Sequence, residues 1–260
     1  MKIATYNIWN SENGMPYREN HIIDEILKVK ADIICLQEVS GKVMAENIAG
    51  KAGYEYCFFD HYENEEEGLC ILSKVPFKEC DSWLHKTNAI YASFESNDKT
   101  VGIVNLHLPW DSVAEREREM ADIVDMANHK KVDSLFLAGD FNCTDTSDVQ
   151  RFLTGECLLS GNEAKPRYYD LALAYSELVG KEPEYTLDFR KNPRFQNNTI
   201  ELNARFDRIL LRNTYPREFP VLRNCVSFGQ TVYEDIWLAA SDHYGVVVEV
   251  DFVDCNELVR

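Results

Sequence analysis

The sequence predicts an α/β protein in which helices cover a large mixed sheet or two sheets packed together. Three observations carry this. Eleven short runs rich in Ile, Val, Phe and Tyr read as strands. Five further segments read as helices, and they fall towards both ends of the chain. No repeat, low-complexity tract or linker interrupts the alternation, so residues 1–260 read as one domain.

In chain order, the strands are expected at Lys2–Ile8, Asp32–Gln37, Tyr54–Tyr62, Gly68–Ser73, Phe77–Trp83, Ala89–Glu95, Val101–Leu108, Ser134–Ala138, Arg205–Leu211, Asn224–Phe228 and Tyr244–Phe252. Helices are expected at Arg18–Lys30, Gly41–Ala52, Ser112–Lys130, Ser147–Leu153 and Tyr169–Leu178. Ser147 suits an N-cap, because its hydroxyl can accept from a free first-turn amide. In the third helix Val113, Met120, Ile123, Val124, Met126 and Ala127 stand among charges, which reads as a core-facing stripe. "HYENEEEG" (His61–Gly68) concentrates acids that repel one another and reads as a surface loop joining adjacent strands.

The 260 residues suffice for a substantial core, and 45% apolar with 27% charged residues are globular values. No apolar run approaches the ~20 residues of a membrane span. MKIATYNIWN enters a strand pattern directly, without a secretory core. The eight cysteines are scattered and form no CxxC, so reduced thiols in a cytoplasm are expected rather than disulfides or a zinc site. No obligate protein partner is evident. The formal charge is −17, which disfavours a non-specific grip on long nucleic acid. The window 186–223 nevertheless carries eight Lys/Arg against four Asp/Glu, +4, leaving −21 elsewhere. It reads as a solvated basic loop or a local phosphate-facing patch.

The chemistry gathers where strands end. In "SLFLAGDFNC" an apolar strand runs into Asp140 and Asn142. A charge at the edge of a core is costly unless paired or bound to a metal. Asn7 ends "ATYN", Gln37 and Glu38 end "IICLQE", and His107 stands in "IVNLHL". Asp207 lies in "RFDRILL", and Asp242 with His243 precedes the last strand. Ligands of layered α/β proteins collect at strand ends. There is no GxSxG, P-loop or GxGxxG. Oxygen donors predominate, which suits Mg²⁺, with Mn²⁺ open to the same ligands. Histidines beside carboxylates can orient groups, move protons or stabilise anionic oxygen. This inventory serves attack of water on a phosphoester.

TYN, LQE, NLHL, GDFN, RFDRI and SDH, in this order across nearly the whole chain, resemble the endonuclease/exonuclease/phosphatase superfamily. The resemblance implies a four-layer α/β/β/α sandwich of two packed mixed sheets. It implies that Glu38 binds Mg²⁺, that Asn7 lies close to metal and phosphate, and that Asp242 holds water on the metal. Asp140 would orient and deprotonate the attacking water, helped by Asn142. His243 would contact the scissile phosphate with Asp207 as its orienter, and His107 would contact a phosphate oxygen or assist the leaving group.

"EYTLDFRKNPRFQNN" and "ARFDRILLR" resemble, more narrowly, the 5′-tyrosyl-DNA phosphodiesterase branch. Leu187 stands where that branch carries Trp, and Thr144 where it carries Arg. The resemblance implies hydrolysis at nucleic-acid ends, single-stranded DNA among them, with Tyr185, Arg190, Arg205 and Arg208 on the substrate. A phosphatase or phosphodiesterase of a small or lipid phosphoester is the alternative.

Overall fold

The computed structural model describes residues 1–252. The chain begins β1 (Lys2–Asn7), α1 (Tyr17–Val29), β2 (Ile33–Val39), α2 (Lys42–Ala52), β3 (Tyr56–His61) and β4 (Gly68–Ser73). It continues β5 (Phe77–Ser82), β6 (Ala89–Ser96), β7 (Lys99–His107), α3 (Val113–Asn128), β8 (Ser134–Asp140) and α4 (Asp148–Leu153). Then follow β9 (Tyr168–Asp170), α5 (Leu171–Val179), β10 (Asp207–Arg212), β11 (Val221–Phe228), β12 (Val232–Tyr233), β13 (Leu238–Ala239) and β14 (Gly245–Asp251).

Two six-stranded sheets form, ordered β11-β14-β1-β2-β4-β3 and β5-β6-β7-β8-β10-β9. Both are mixed: β1–β2 and β7–β8 are parallel and the other pairs antiparallel. Strand alternation sorts the apolar residues into three layers of core. Ile3, Ile33, Cys35, Ile103, Phe136 and Val248 meet between the sheets. Ala4, Tyr6, Ile34 and Leu36 face outward against Ile22, Ile23 and Ile26 of α1. On the far side Val104, Leu106, Leu135 and Leu137 meet Met120, Ile123 and Val124 of α3. The result is the four-layer α/β/β/α sandwich. Inner strands are covered on both faces, which is why IICL and LFLA are continuously apolar rather than alternating. Each Ile buried by α1 contributes about 1.5–3 kcal/mol.

The helices expected at Arg18–Lys30, Gly41–Ala52, Ser112–Lys130 and Ser147–Leu153 are present within two residues. Ser147 Oγ accepts from the Gln150 amide, and Ser112 caps α3 through the Glu115 amide. The expected helix at Tyr169–Leu178 starts later. Tyr168–Asp170 first pairs with β10, and Asp170 then caps α5 by accepting from the Ala172 and Leu173 amides. β12 and β13, two residues each, were not expected. The described cysteines are free thiols.

Topology places the site. The parallel connections β1-α1-β2 and β7-α3-β8 bring the C-terminal ends of four strands to one edge. Asn7 pairs in register with Gln37, His107 with Asp140, and Asp140 with Asp207 at the start of antiparallel β10. Gly139 permits the closest approach: at φ +152°, a Cβ there would lie 1.9 Å from the Leu106 carbonyl oxygen.

Candidate active site

Asp140 is buried at the centre of this edge. Its Oδ1 accepts from the Asn142 amide at 2.8 Å, and its Oδ2 accepts from Asn7 Nδ2 at 3.1 Å. The Asn142 side chain is turned away to donate to the Leu108 carbonyl at 2.9 Å. Asn7 Nδ2 also donates to Glu38 Oε1 at 2.9 Å, while Asn7 Oδ1 accepts from the Trp9 amide at 3.0 Å. Asn7 therefore bridges the two carboxylates with its donor end. In this arrangement it holds the two carboxylates in place. Glu38 Oε2 accepts from the Asn10 amide at 2.8 Å.

His243 and Asp207 form a buried dyad, with 2.8 Å between Nδ1 and Oδ2. Nδ1 lies 3.8 Å from Asp140 Oδ2. Burial pushes the imidazole pKa down, but Asp207 and Asp140 outweigh it and hold the imidazole well above its ordinary value. On the opposite flank His107 Nε2 is 3.7 Å from Asp140 and 3.9 Å from Glu38. Its Nδ1 lies 3.2 Å from the Tyr62 hydroxyl. Asn7, Glu38, His107, Asp140, Asp207 and His243 thus converge. Burial pushes the neighbouring Asp242 carboxyl up to about 6.

Three residues beside the site hold left-handed backbone without being glycine: Trp9 (φ 59°), Glu38 (φ 58°) and Asn142 (φ 46°). Such conformations cost on the order of 1 kcal/mol each and persist only where surroundings enforce them. One enforcer is Arg18, fully buried on α1, which donates to the carbonyls of Ile8, Trp9, Ser11, Asn13 and Ala240. A second is Ser241, whose hydroxyl donates to the Asn7 carbonyl at 2.7 Å. A third is Asn192, whose Nδ2 donates to the carbonyls of Ser241 and Asp242. Beneath the site Gln37 Nε2 donates to Asn105 Oδ1 at 2.6 Å, and Asn105 Nδ2 donates to the Leu36 and Cys70 carbonyls. Sequence reasoning missed Arg18, Asn105 and Asn192. Asn105 had one signal, a carboxamide inside the apolar "IVNLHL".

The expected substrate contacts are corrected in two cases. Arg205 and Arg208 are buried and paired inward, not presented to solvent. Arg205 binds Asp170 at 2.8 Å and Asp145 at 2.5 Å, and Arg208 binds Asp145 at 2.9 Å. Arg190 is exposed, but its guanidinium closes its own loop by donating to the Asn198 and Glu201 carbonyls. Tyr185 is half exposed and lines a cavity of about 620 Å³ with Lys191 and Tyr244. The rest of that segment supports the dyad. Thr186 Oγ1 accepts from the Phe206 and Asp207 amides, and the Thr186 carbonyl accepts from Tyr244. The acidic loop 61–68 reaches the site from the other end. Tyr62, Glu63, Glu65 and Glu67 line a cavity of about 480 Å³ together with His107 and Trp110.

The family profile of endonuclease/exonuclease/phosphatase proteins matches residues 4–243, from the first strand through His243. The chain belongs to the endonuclease/exonuclease/phosphatase family. It is accordingly a phosphoric-ester hydrolase. No curated protein sequence matches it. Its fold is similar to a humanized D. rerio TDP2 carrying 14 mutations, with TM-score 0.77, 18% identity, and 97% and 99% of the two chains covered. It is similar to D. rerio TDP2 complexed with single strand DNA product, with TM-score 0.75, 17% identity and the same coverage. It is also similar to the beta toxin of Staphylococcus aureus, with TM-score 0.68, 15% identity, and 96% and 99% covered.

Enzymes of this family depend on a divalent metal, and the donors present fit one. Asp140, Asp207 and His243 each offer a ligand atom within 4.8 Å of the others. The Asp207 and His243 side chains, however, are already hydrogen-bonded to each other. Glu38 is the better anchor, being partly exposed beside Asp140 and rich in free lone pairs. The buried Asp242 Oδ1, which has no hydrogen-bond partner, is a second uncommitted oxygen.

Proposed function

We propose that the chain is a Mg²⁺-dependent phosphodiesterase, one catalytic domain over residues 1–260, that hydrolyses phosphoester bonds at nucleic-acid ends. Single-stranded DNA carrying a 5′-phosphotyrosine is the substrate to test first. The observation that carries this is the buried His243–Asp207 dyad beside Asp140, with Glu38 held to the same Asn7 amide group.

Each side chain has a role its surroundings explain. Glu38 and Asp242 hold the cation, which when bound draws electron density from the phosphoryl oxygens. Asp140, oriented by the Asn7 amide and the Asn142 backbone, accepts the proton of the attacking water. His243 faces the phosphate as an imidazolium, because Asp207 and Asp140 stabilise its charge. It offsets the negative charge that develops in the transition state. His107, fixed by Tyr62, faces the leaving group.

Support for a nucleic-acid end comes from the shared fold of a TDP2 bound to single strand DNA product. A second reading, a small or lipid phosphoester of inositol phosphate or sphingomyelin type, is favoured by the arginines. Arg190, Arg205 and Arg208 are all engaged internally, so the basic window 186–223 is less of a free patch than its charge implies.

The test is incubation with Mg²⁺ and a single-stranded oligonucleotide bearing a 5′-phosphotyrosine, with His243→Ala as the blank. Release of tyrosine leaving a 5′ phosphate, absent in the variant, supports the first reading. No release, with turnover of a sphingomyelin-type or inositol phosphodiester, supports the second.

A further inference from the structure

Five arginines surround the site, and four are engaged by the protein. Arg18 binds five carbonyls, Arg190 binds its own loop, and Arg205 and Arg208 are paired with Asp145 and Asp170. Among the described residues, only the Arg194 guanidinium has neither a hydrogen bond nor an ion pair. It is not loose, however. It lies over the Trp9 ring at 5.2 Å from the centroid and 5.9 Å from that of Phe195. Trp9 is two residues beyond Asn7 and donates its amide to Asn7 Oδ1. The Arg194 backbone is tied to the opposite side of the site. Its amide donates to Asn192 Oδ1, and Asn192 Nδ2 donates to the Ser241 and Asp242 carbonyls.

The guanidinium is thus fixed between the loop that follows β1 and the loop that precedes β14, both of which carry site residues. Stacking on an indole leaves the N–H edge of an arginine free for a planar, bidentate acceptor. Phosphate is such an acceptor. Position along the site decides which phosphate. The facing strand ends form a row: β14 with β10, β1 with β8, β2 with β7, then the β3–β4 loop. His243, Asp207 and Asp140 occupy the part of the row where the scissile group must lie. Arg194 lies beyond Asp242, at the end away from His107 and the acidic loop.

We infer that Arg194, braced by Trp9, binds the phosphate next to the scissile one, so that the enzyme prefers substrates with at least two consecutive phosphoesters. This rests on the proposed function and narrows it towards a nucleic-acid end. A phosphoester with one phosphate leaves the contact unmade.

The test compares two substrates sharing one chromophoric leaving group. One is a mononucleotide 5′-(4-nitrophenyl) phosphate and the other a trinucleotide bearing the same 5′-(4-nitrophenyl) ester. For Arg194→Ala, the ratio of kcat/KM for trinucleotide over mononucleotide should fall by about tenfold, the loss of one charge-assisted contact. The change should lie in KM, and Arg194→Lys should recover part of it. An unchanged ratio, whether both rates fall equally or neither falls, overturns the inference.

Binding of a fluorescent trinucleotide 5′-phosphate in Ca²⁺ supplies a readout independent of turnover. There Arg194→Ala should bind about tenfold more weakly, and the slope of log affinity against log salt should shrink by about 0.7. If the wild-type protein cleaves neither ester, the proposed function fails. The binding difference then decides Arg194 separately: equal affinity of wild type and variant refutes it.

Discussion

Asp207→Asn separates what the dyad does for chemistry from what it does for stability. Asp207 is fully buried and accepts from His243 at 2.8 Å through Oδ2, while its Oδ1 has no partner. Asparagine keeps the shape, and its oxygen can still accept from Nδ1–H. What disappears is the charge. A hydrogen bond to a charged group is worth about 1.5–3 kcal/mol. At ~1.4 kcal/mol per factor of ten, kcat should fall roughly 10- to 150-fold. Stability should move the other way or not at all. A buried carboxylate with one unsatisfied oxygen carries a desolvation cost of several kcal/mol, much of which the neutral amide avoids. Tm should therefore hold or rise by a few degrees, at about 2–4 °C per kcal/mol for a chain of this size. The assay pairs phosphodiester kinetics with thermal unfolding, and NMR titration of the His243 imidazole supplies a direct check. The imidazole is held high by Asp207 first among its neighbours, so its pKa must drop in the variant. A variant with full activity, an unmoved imidazole and a lower Tm would refute the reasoning.

Gly139→Ala should lower stability by on the order of 3 kcal/mol in urea unfolding and abolish activity, because its Cβ collides with the Leu106 carbonyl between His107 and Asp140. Asp170→Ala strips Arg205 of its buried partner and should cost about 3–5 kcal/mol by the same measurement. On α1, burial raises the Glu25 pKa, but hydrogen bonds from Lys28 and Tyr233 outweigh it and leave the pKa below the ordinary value. A depressed acid stabilises the fold above its unfolded pKa of about 4.3, and that contribution disappears as pH falls through and below it. Glu25→Gln should thus be less stable than wild type at pH 7, with the gap closing towards pH 3 in denaturant titrations.

The sheets were legible because burial on both faces writes itself as unbroken runs such as IICL and LFLA. The site was legible because polar residues at the ends of such runs have no cheap structural reason to be there. What the sequence hid depends on partners far along the chain. The +4 window suggested free cations, but Asp145 and Asp170, 60 and 35 residues before Arg205, claim its charge. Arg18 lies in an ordinary amphipathic helix, and nothing local marks it as the clamp on residues 8–13. Tyr168–Asp170 is too short a strand to interrupt a helical pattern. The motif places Asn7 close to metal and phosphate; only the hydrogen bonds from its Nδ2 show it to bridge Glu38 and Asp140.

The most direct test of the account is where the cation binds, read by Mn²⁺ electron paramagnetic resonance without substrate. The account predicts that wild type and Asp207→Asn bind the ion and that Glu38→Gln loses it. Retention in Glu38→Gln with loss in Asp207→Asn would contradict it, moving the metal onto the Asp140–Asp207–His243 cluster and leaving the dyad no role in positioning.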